Sequence, residues 1–164
     1  MKRGWGLCLL VAAWAIALPA LADTLRGVVI GVIDGDTVLF KPDHTGARSR
    51  VLLKIRLADI DAPEKDQPYG DAATRGLTAR VLNQRVEIDT VATDAYGRSI
   101  AHLRKGALQV NTEMVRLGLA WPSTRSRRNG ALMKAQNEAR RGLWADAAPT
   151  PPWVWRRAKN ALAK

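Results

Sequence analysis

Thiols and imidazoles are scarce in this 164-residue chain, which has one cysteine and two histidines. Cys8 falls inside the first apolar run, so the remainder has no disulfide framework and no thiolate nucleophile or ligand. His44 and His102 lie far apart in the sequence, which leaves no cluster of the kind zinc requires. No serine–histidine pairing suggests a nucleophilic hydroxyl either. Internal repeats and long low-complexity tracts are absent. The one long apolar run, Leu7 to Leu18, has 12 residues, short of the ~20 that a helix needs to cross a bilayer. Lys2 and Arg3 precede it and Ala20-Leu21-Ala22 follows. Residues 1–22 therefore read as a signal peptide cleaved before Asp23, with a retained membrane anchor as the alternative. The product is then an exported protein, periplasmic or secreted.

Positive charge is in excess. Lysine and arginine number 26 against 15 acidic residues, and loss of Lys2 and Arg3 with the signal takes the formal charge from +11 to +9. Such a balance suits an anionic partner such as nucleic acid, lipopolysaccharide or an acidic membrane surface, and it also keeps a small exported protein soluble. The remaining 142 residues suit one domain with a single core. That domain is expected over residues 23–146. Pro149, Pro151 and Pro152 open a basic, tryptophan-containing tail over residues 147–164.

Hydrophobic periodicity sets the order of elements. Leu25 to Ile33 and Val38 to Phe40 are apolar runs on either side of Asp34-Gly35-Asp36-Thr37, a strong hairpin signal. Val51, Leu53, Ile55 and Leu57 alternate with Leu52, Lys54 and Arg56 as in a strand with one buried face. Pro63 stops that strand near Asp61. Ala73, Leu77 and Val81 recur at helical spacing within Tyr69 to Leu82. Val86 to Thr93 and Arg98 to Leu103 are further strands around the turn Asp94-Ala95-Tyr96-Gly97. Two helices follow, the first with Asn111 as N-cap and Gly118 as C-terminal cap, the second carrying Leu132, Ala135 and Ala139 and ended by Gly142. Three strands, a helix, two strands and two helices suit an α+β chain, mainly a five-stranded β barrel with three helices packed against it. An open α+β sheet is the alternative.

Three segments concentrate the charged chemistry. Asp34-Gly35-Asp36 offers paired carboxylates, hard oxygen ligands of the kind Ca²⁺ or Mg²⁺ takes, although aspartates in tight turns often serve only neighbouring N–H groups. Residues 56–64, Arg-Leu-Ala-Asp-Ile-Asp-Ala-Pro-Glu, put a cation at a strand end, aspartates just past it, and Glu64 on a proline-stiffened turn. An ion-paired strand end is the plainer account of that stretch. It fails as an EF-hand loop, since Pro63 and Gly70 stand at the fifth and twelfth positions counted from Asp59. Asp94-Ala95-Tyr96-Gly97-Arg98 adds a second arginine. Carboxylates for a metal, two arginines for a phosphate and a glutamate nearby point together to water attacking a phosphodiester.

These segments, in this order and approximate spacing, resemble the staphylococcal nuclease-like (thermonuclease) family. Ile33 to Thr37, Arg56 to Glu64 and Asp94 to Arg98 carry the resemblance, with Val110 to Trp121 and Gly142-Leu143-Trp144 in support. It covers about Leu25 to Trp144. The resemblance implies an OB-fold barrel and a Ca²⁺-dependent endonuclease that cleaves DNA and RNA, with single strands preferred, leaving 3′-phosphate ends. By position, Asp36 and Asp61 would hold Ca²⁺ through their side chains, and Ala62 through its backbone carbonyl. Glu64 would activate or orient the attacking water. Arg56 would bind the phosphate and Arg98 would stabilise charge toward the leaving 5′-oxygen. Tyr96 would hydrogen-bond a phosphate, while Thr124 or Trp121 lies near a base-stacking position. The chain departs from the pattern at Ala95, where a phosphate-contacting lysine is usual, and in a short, less basic loop from Lys65 to Pro68. No stable protein partner is implied, and a monomer is expected. A non-catalytic OB-fold nucleic-acid-binding module is the second reading, with only seven aromatics after residue 22 to serve it. A cationic envelope-binding protein is a third, which explains the charge but not the motifs.

Overall fold

In the computed structural model, residues 24–43, 51–126 and 128–163 are described. The expected signal peptide and His44 lie outside them. Strands β1 (Thr24–Asp34), β2 (Thr37–Pro42) and β3 (Leu53–Leu57) come first, then the two-residue strand β4 (Ile60–Asp61) and helix α1 (Gly70–Val81). Next are β5 (Arg85–Thr93), β6 (Ser99–Lys105), β7 (Leu108–Gln109), α2 (Val110–Arg116), β8 (Trp121–Pro122), α3 (Gly130–Glu138), a 3₁₀ turn (Gly142–Ala145) and α4 (Pro152–Leu162).

The sheet runs β3-β2-β1-β5-β6-β7, and a parallel pairing joins β3 at one end to β6, the last long strand at the other. Five long strands thus close into a mixed barrel with no free edge between β3 and β6. The closing register sets Ile55 beside Ser99, Arg56 beside Ile100 and Leu57 beside Ala101. Arg56 and Arg98 therefore reach the same end of the barrel, although 42 residues separate them. The expected barrel is the fold observed.

Alternation dictates which side chains fill it. Val29, Val38, Phe40, Ile55, Ile88 and Leu103 are fully buried inside, and Ala73, Leu77 and Val81 bring one face of α1 against them. Gly35 permits this close approach at the β1–β2 turn. A Cβ there would stand 2.6 Å from that of Ala73 and 2.7 Å from that of Ala62, closer than carbon atoms can sit.

Among the described residues four helices rather than three accompany the barrel, because the expected tail forms α4. Pro152 at its start donates no N–H, and the first turn of a helix leaves such groups unpaired in any case. Asn111 is not an N-cap. Gln109 holds that position without a side-chain bond, and the Asn111 amide is buried among three backbone groups instead. It accepts from Leu103 N–H (2.9 Å) and donates to the carbonyls of Ala58 (2.9 Å) and Ala101 (3.3 Å). Gly118 ends α2 as expected, with φ +68°, and its carbonyl accepts from Leu143 N–H at 2.9 Å. Gly142 does not end α3, which stops at Glu138; it opens the 3₁₀ turn.

Candidate active site

The turn between β1 and β2 is two residues long, with Asp34 facing Thr37 across it. Asp36 N–H donates to Asp34 Oδ1 (3.1 Å), a bond that folds the turn. This sends the Asp36 carboxylate inward. Its Oδ2 accepts from Ala62 N–H at 2.7 Å and its Oδ1 from the Thr37 hydroxyl at 3.1 Å. Burial pushes the Asp36 carboxyl up to about 7; the Arg56 guanidinium opposes the rise, and the nearby charges of Asp34 and Asp61 add to it.

Arg56 stands one residue before the end of the barrel strand β3. Its Nη2 donates to Asp61 Oδ1 at 2.9 Å, while Nη1 abuts Asp36 Oδ2 without the alignment of a hydrogen bond. Asp61 is brought there by β4, which pairs with β8, setting Ile60 opposite Pro122 and Asp61 opposite Trp121. Asp59, two residues earlier, has φ +64°, an uncommon conformation for a side-chain-bearing residue. Its carboxylate accepts from the Ser126 hydroxyl and its carbonyl from Ser123 N–H. The chain reverses there and returns toward the Asp36 turn. Glu64 follows on a turn stapled by Gln67, which donates its N–H to the Glu64 carbonyl (2.9 Å) and accepts Glu64 N–H at its side-chain oxygen (3.1 Å).

The β5–β6 turn, at the same end of the barrel, is organised by Asp94. Its Oδ1 accepts from Tyr96 N–H and Arg98 N–H, both at 2.9 Å, and its Oδ2 from Arg98 Nε at 2.7 Å. Burial would raise the Asp94 carboxyl, but these donors outweigh it and hold it below the usual range. Both Nη groups of Arg98 are left without a partner among the described residues. The Arg98 guanidinium sits 5.7 Å from the Tyr96 ring centre, and Tyr96 is otherwise in solvent.

Nine of the residues described above line one cavity of about 810 Å³. Asp34, Asp36, Thr37, Arg56, Asp61, Ala62, Glu64, Tyr96 and Arg98 meet there from three separate stretches of chain. Two more lining residues, Arg156 and Lys159, come from α4. Arg156 spans Asp61 and Glu64, with Nη2 to Asp61 Oδ2 at 2.7 Å, Nη1 to Asp61 Oδ1 at 3.2 Å and Nη1 to Glu64 Oε1 at 2.7 Å. These bonds, to Asp61 first, raise the guanidinium's proton affinity despite its partial burial.

Residues 54–146 match the profile of the family described as staphylococcal nuclease homologue. The chain belongs to the staphylococcal nuclease family. Over 163 residues, 97% of this chain and all of the other, it is 37% identical to a protein named uncharacterized endonuclease in Escherichia coli O157:H7. It is 34% identical over 161 residues to micrococcal nuclease of Shigella flexneri, covering 89% of this chain and 88% of that one. Staphylococcal-like nuclease CAN1 of Arabidopsis thaliana is 36% identical over 111 residues, 66% of this chain and 34% of its own length.

In this member of the family, seven of the eight residues singled out from the sequence line the one cavity: Asp36, Arg56, Asp61, Ala62, Glu64, Tyr96 and Arg98. Trp121 does not. It is held edge-on against Trp144 (ring centres 4.5 Å apart) and Trp153 (5.9 Å), with its ring nitrogen buried and unpartnered among the described residues. Thr124 lines an adjoining cavity with Ile100, Arg125 and Trp153, which shares Arg56, Asp61 and Arg156 with the first. Sequence reasoning missed Asp94 as the residue that aims Arg98, and the contact of Arg156 with Asp61. The first was signalled by an aspartate four residues before an arginine across a turn, whereas no local pattern announces the second.

No three or more Asp, Glu, His or Cys side chains among the described residues converge tightly enough to hold a metal by themselves. The donor chemistry nonetheless fits a hard cation. Asp36 and Asp61 are buried carboxylates, and Asp36 binds its proton far more tightly than an exposed aspartate does. Such a pair is stabilised by positive charge, and its oxygens suit an ion that completes its shell with water and backbone carbonyls.

Proposed function

We propose that this chain is an exported, Ca²⁺-dependent endonuclease that hydrolyses DNA and RNA by attack of water, leaving 3′-phosphate ends. The observation that carries this reading is the cavity itself. It gathers buried carboxylates, two arginines and a glutamate from separate segments, within a family that contains named nucleases.

Asp36 and Asp61 would hold the ion, with the Ala62 carbonyl beside them; a bound Ca²⁺ would supply Lewis-acid neutralisation of a phosphate oxygen. The chain's own side chains account for the rest. Arg98 offers two unengaged Nη groups to a phosphate, and Tyr96 an exposed hydroxyl. Arg56 is held from two sides by carboxylates, so its guanidinium is already oriented when charge develops, and fixed donors of this kind lower barriers most. Glu64 has one oxygen, Oε2, that no described residue engages, and it orients or deprotonates the attacking water. The basic residues outside the cavity draw the polyanion in.

Digestion of single-stranded DNA and of RNA by the purified protein, with Ca²⁺ and then with excess chelator, tests this reading. Cleavage that requires Ca²⁺ and leaves 3′-phosphate ends is expected. Arg56→Ala, Glu64→Ala and Arg98→Ala should each lose about 10²- to 10⁴-fold in rate; Glu64→Ala and Arg98→Ala should melt near the parent temperature, whereas Arg56→Ala takes its cation from the buried Asp36 and Asp61 carboxylates and should melt lower. DNA bound but uncut under both conditions would favour a binding module instead.

A further inference from the structure

The cavity is not an open mouth. Helix α4 lies along the loop that carries Asp61 and Glu64, and it is tied there by polar contacts. Gln67 Nε2 donates to the Thr150 carbonyl at 2.6 Å, Trp155 Nε1 to Asp66 Oδ1 at 3.4 Å, and Lys159 Nζ to Asp66 Oδ2 at 2.5 Å. Trp153 rests edge-on against Trp121. From this position Arg156 forks onto both oxygens of Asp61 and one of Glu64. Arg56 already holds Asp61 Oδ1, so both Asp61 oxygens are engaged by guanidinium groups.

We propose that α4 is an inhibitory strap: Arg156 holds Asp61, one of the side chains proposed to bind the divalent cation, together with Glu64, proposed to orient the water, so that metal and Arg156 compete for Asp61. This rests on the metal-dependent reading of the site given above. With Arg56 and Arg156 on its two oxygens, Asp61 has neither left for an ion, and a divalent charge added beside Arg156 in a half-buried cleft would be strongly repelled. Entry of the ion therefore displaces the guanidinium, and loss of the guanidinium raises the site's affinity for the ion.

The strap is built to release. Pro152 is the only buried residue of the helix, and everything from Arg156 to the end of the described chain is exposed. An 11-residue helix is marginal alone in water, so its order depends on the contacts just described, and a segment with few buried apolar contacts opens at low cost. Arg156 cannot be replaced in this role by its neighbours. Arg157 turns back to the Trp153 carbonyl, and Lys159 is engaged by Asp66. A strap that holds the metal-free protein closed would keep the enzyme inactive wherever free Ca²⁺ is low.

Calorimetric titration of Ca²⁺ into the purified protein and into Arg156→Gln tests this without reference to cleavage. Arg156→Gln should bind Ca²⁺ about 10-fold more tightly, the factor by which a closed-to-open ratio of about 10 weakens the apparent affinity. Ca²⁺ should also speed tryptic cutting at Arg156, Arg157 and Lys159 in the parent protein by several-fold over chelator. Equal or weaker Ca²⁺ binding by Arg156→Gln, with no change in tryptic cutting, overturns the strap and leaves the metal-dependent reading standing. Absence of Ca²⁺ binding by both proteins overturns both. Tighter DNA binding by the parent than by Arg156→Gln, with Ca²⁺ affinity unchanged, would make Arg156 a phosphate contact and not a competitor.

Discussion

At the scale of single residues, the site works through groups that aim other groups. Arg98 sits at the edge of a turn, where a free guanidinium samples many rotamers, and Asp94 removes that freedom. It binds Arg98 at the backbone N–H and again at Nε, and it leaves the Nη pair for substrate. Asp94 lines neither wall of the cavity, so it acts through Arg98 as a positioning residue. Asp94→Ala should lower kcat about 10- to 100-fold, because small misplacements of a charge-stabilising group cost rate steeply. Asp94→Asn retains an acceptor for the two N–H groups and should recover part of the loss. Steady-state kinetics on both variants checks this; wild-type kcat in Asp94→Ala would remove the positioning role.

At the scale of elements, what is legible in the sequence is what period and turn chemistry can encode. The Asp-Gly turn between two apolar runs locates β1 and β2, and Ala73, Leu77 and Val81 at helical spacing locate the buried face of α1. The cavity residues on those segments are legible for the same reason, since their positions follow from the turns that hold them. Strands β4 and β8 have two residues each, too few for any period, and they pair across about 60 residues of sequence. Helix α4 reads as a tail because two prolines precede it, a third begins it, and its fit depends on distant partners. Asn111 misleads for a different reason: an asparagine at the start of a helix satisfies a capping pattern whether its amide caps that helix or reaches elsewhere. Here it ties α2 to β6 and to the Ala58 turn that leads to Asp61. Asn111→Ala leaves three buried backbone groups partly unpaired, and should destabilise the protein by about 2–4 kcal/mol at ~1–3 kcal/mol per unsatisfied group with partial relaxation. Urea denaturation measures this. Asn111→Asp should be no better, because a carboxylate cannot donate to the Ala58 and Ala101 carbonyls.

At the scale of the whole molecule, the site costs stability that the rest of the fold supplies. Asp36 has a carboxyl pushed to about 7 in the folded, metal-free protein, chiefly by burial, against an ordinary value of 3.8. Between those two pH values the folded chain keeps a proton that the unfolded chain has released. The unfolded state therefore binds fewer protons, and stability falls as pH rises through that window. Asp66, Asp94 and Glu113, whose carboxyls lie below their ordinary values, act in the opposite sense, but their contribution is gained below about pH 5 and is complete above it. Between pH 5 and 8 Asp36 is left to dominate, by on the order of 2–4 kcal/mol at ~1.4 kcal/mol for each tenfold gain in proton affinity. Melting in chelator should therefore occur at a lower temperature at pH 8 than at pH 5.5. Asp36→Asn removes the titrating group and should flatten the difference while raising the melting temperature at pH 8, even as it removes a side chain proposed to hold the ion. A parent protein that melts at the same temperature at both pH values in chelator would show that Arg56 neutralises Asp36 fully in the folded state.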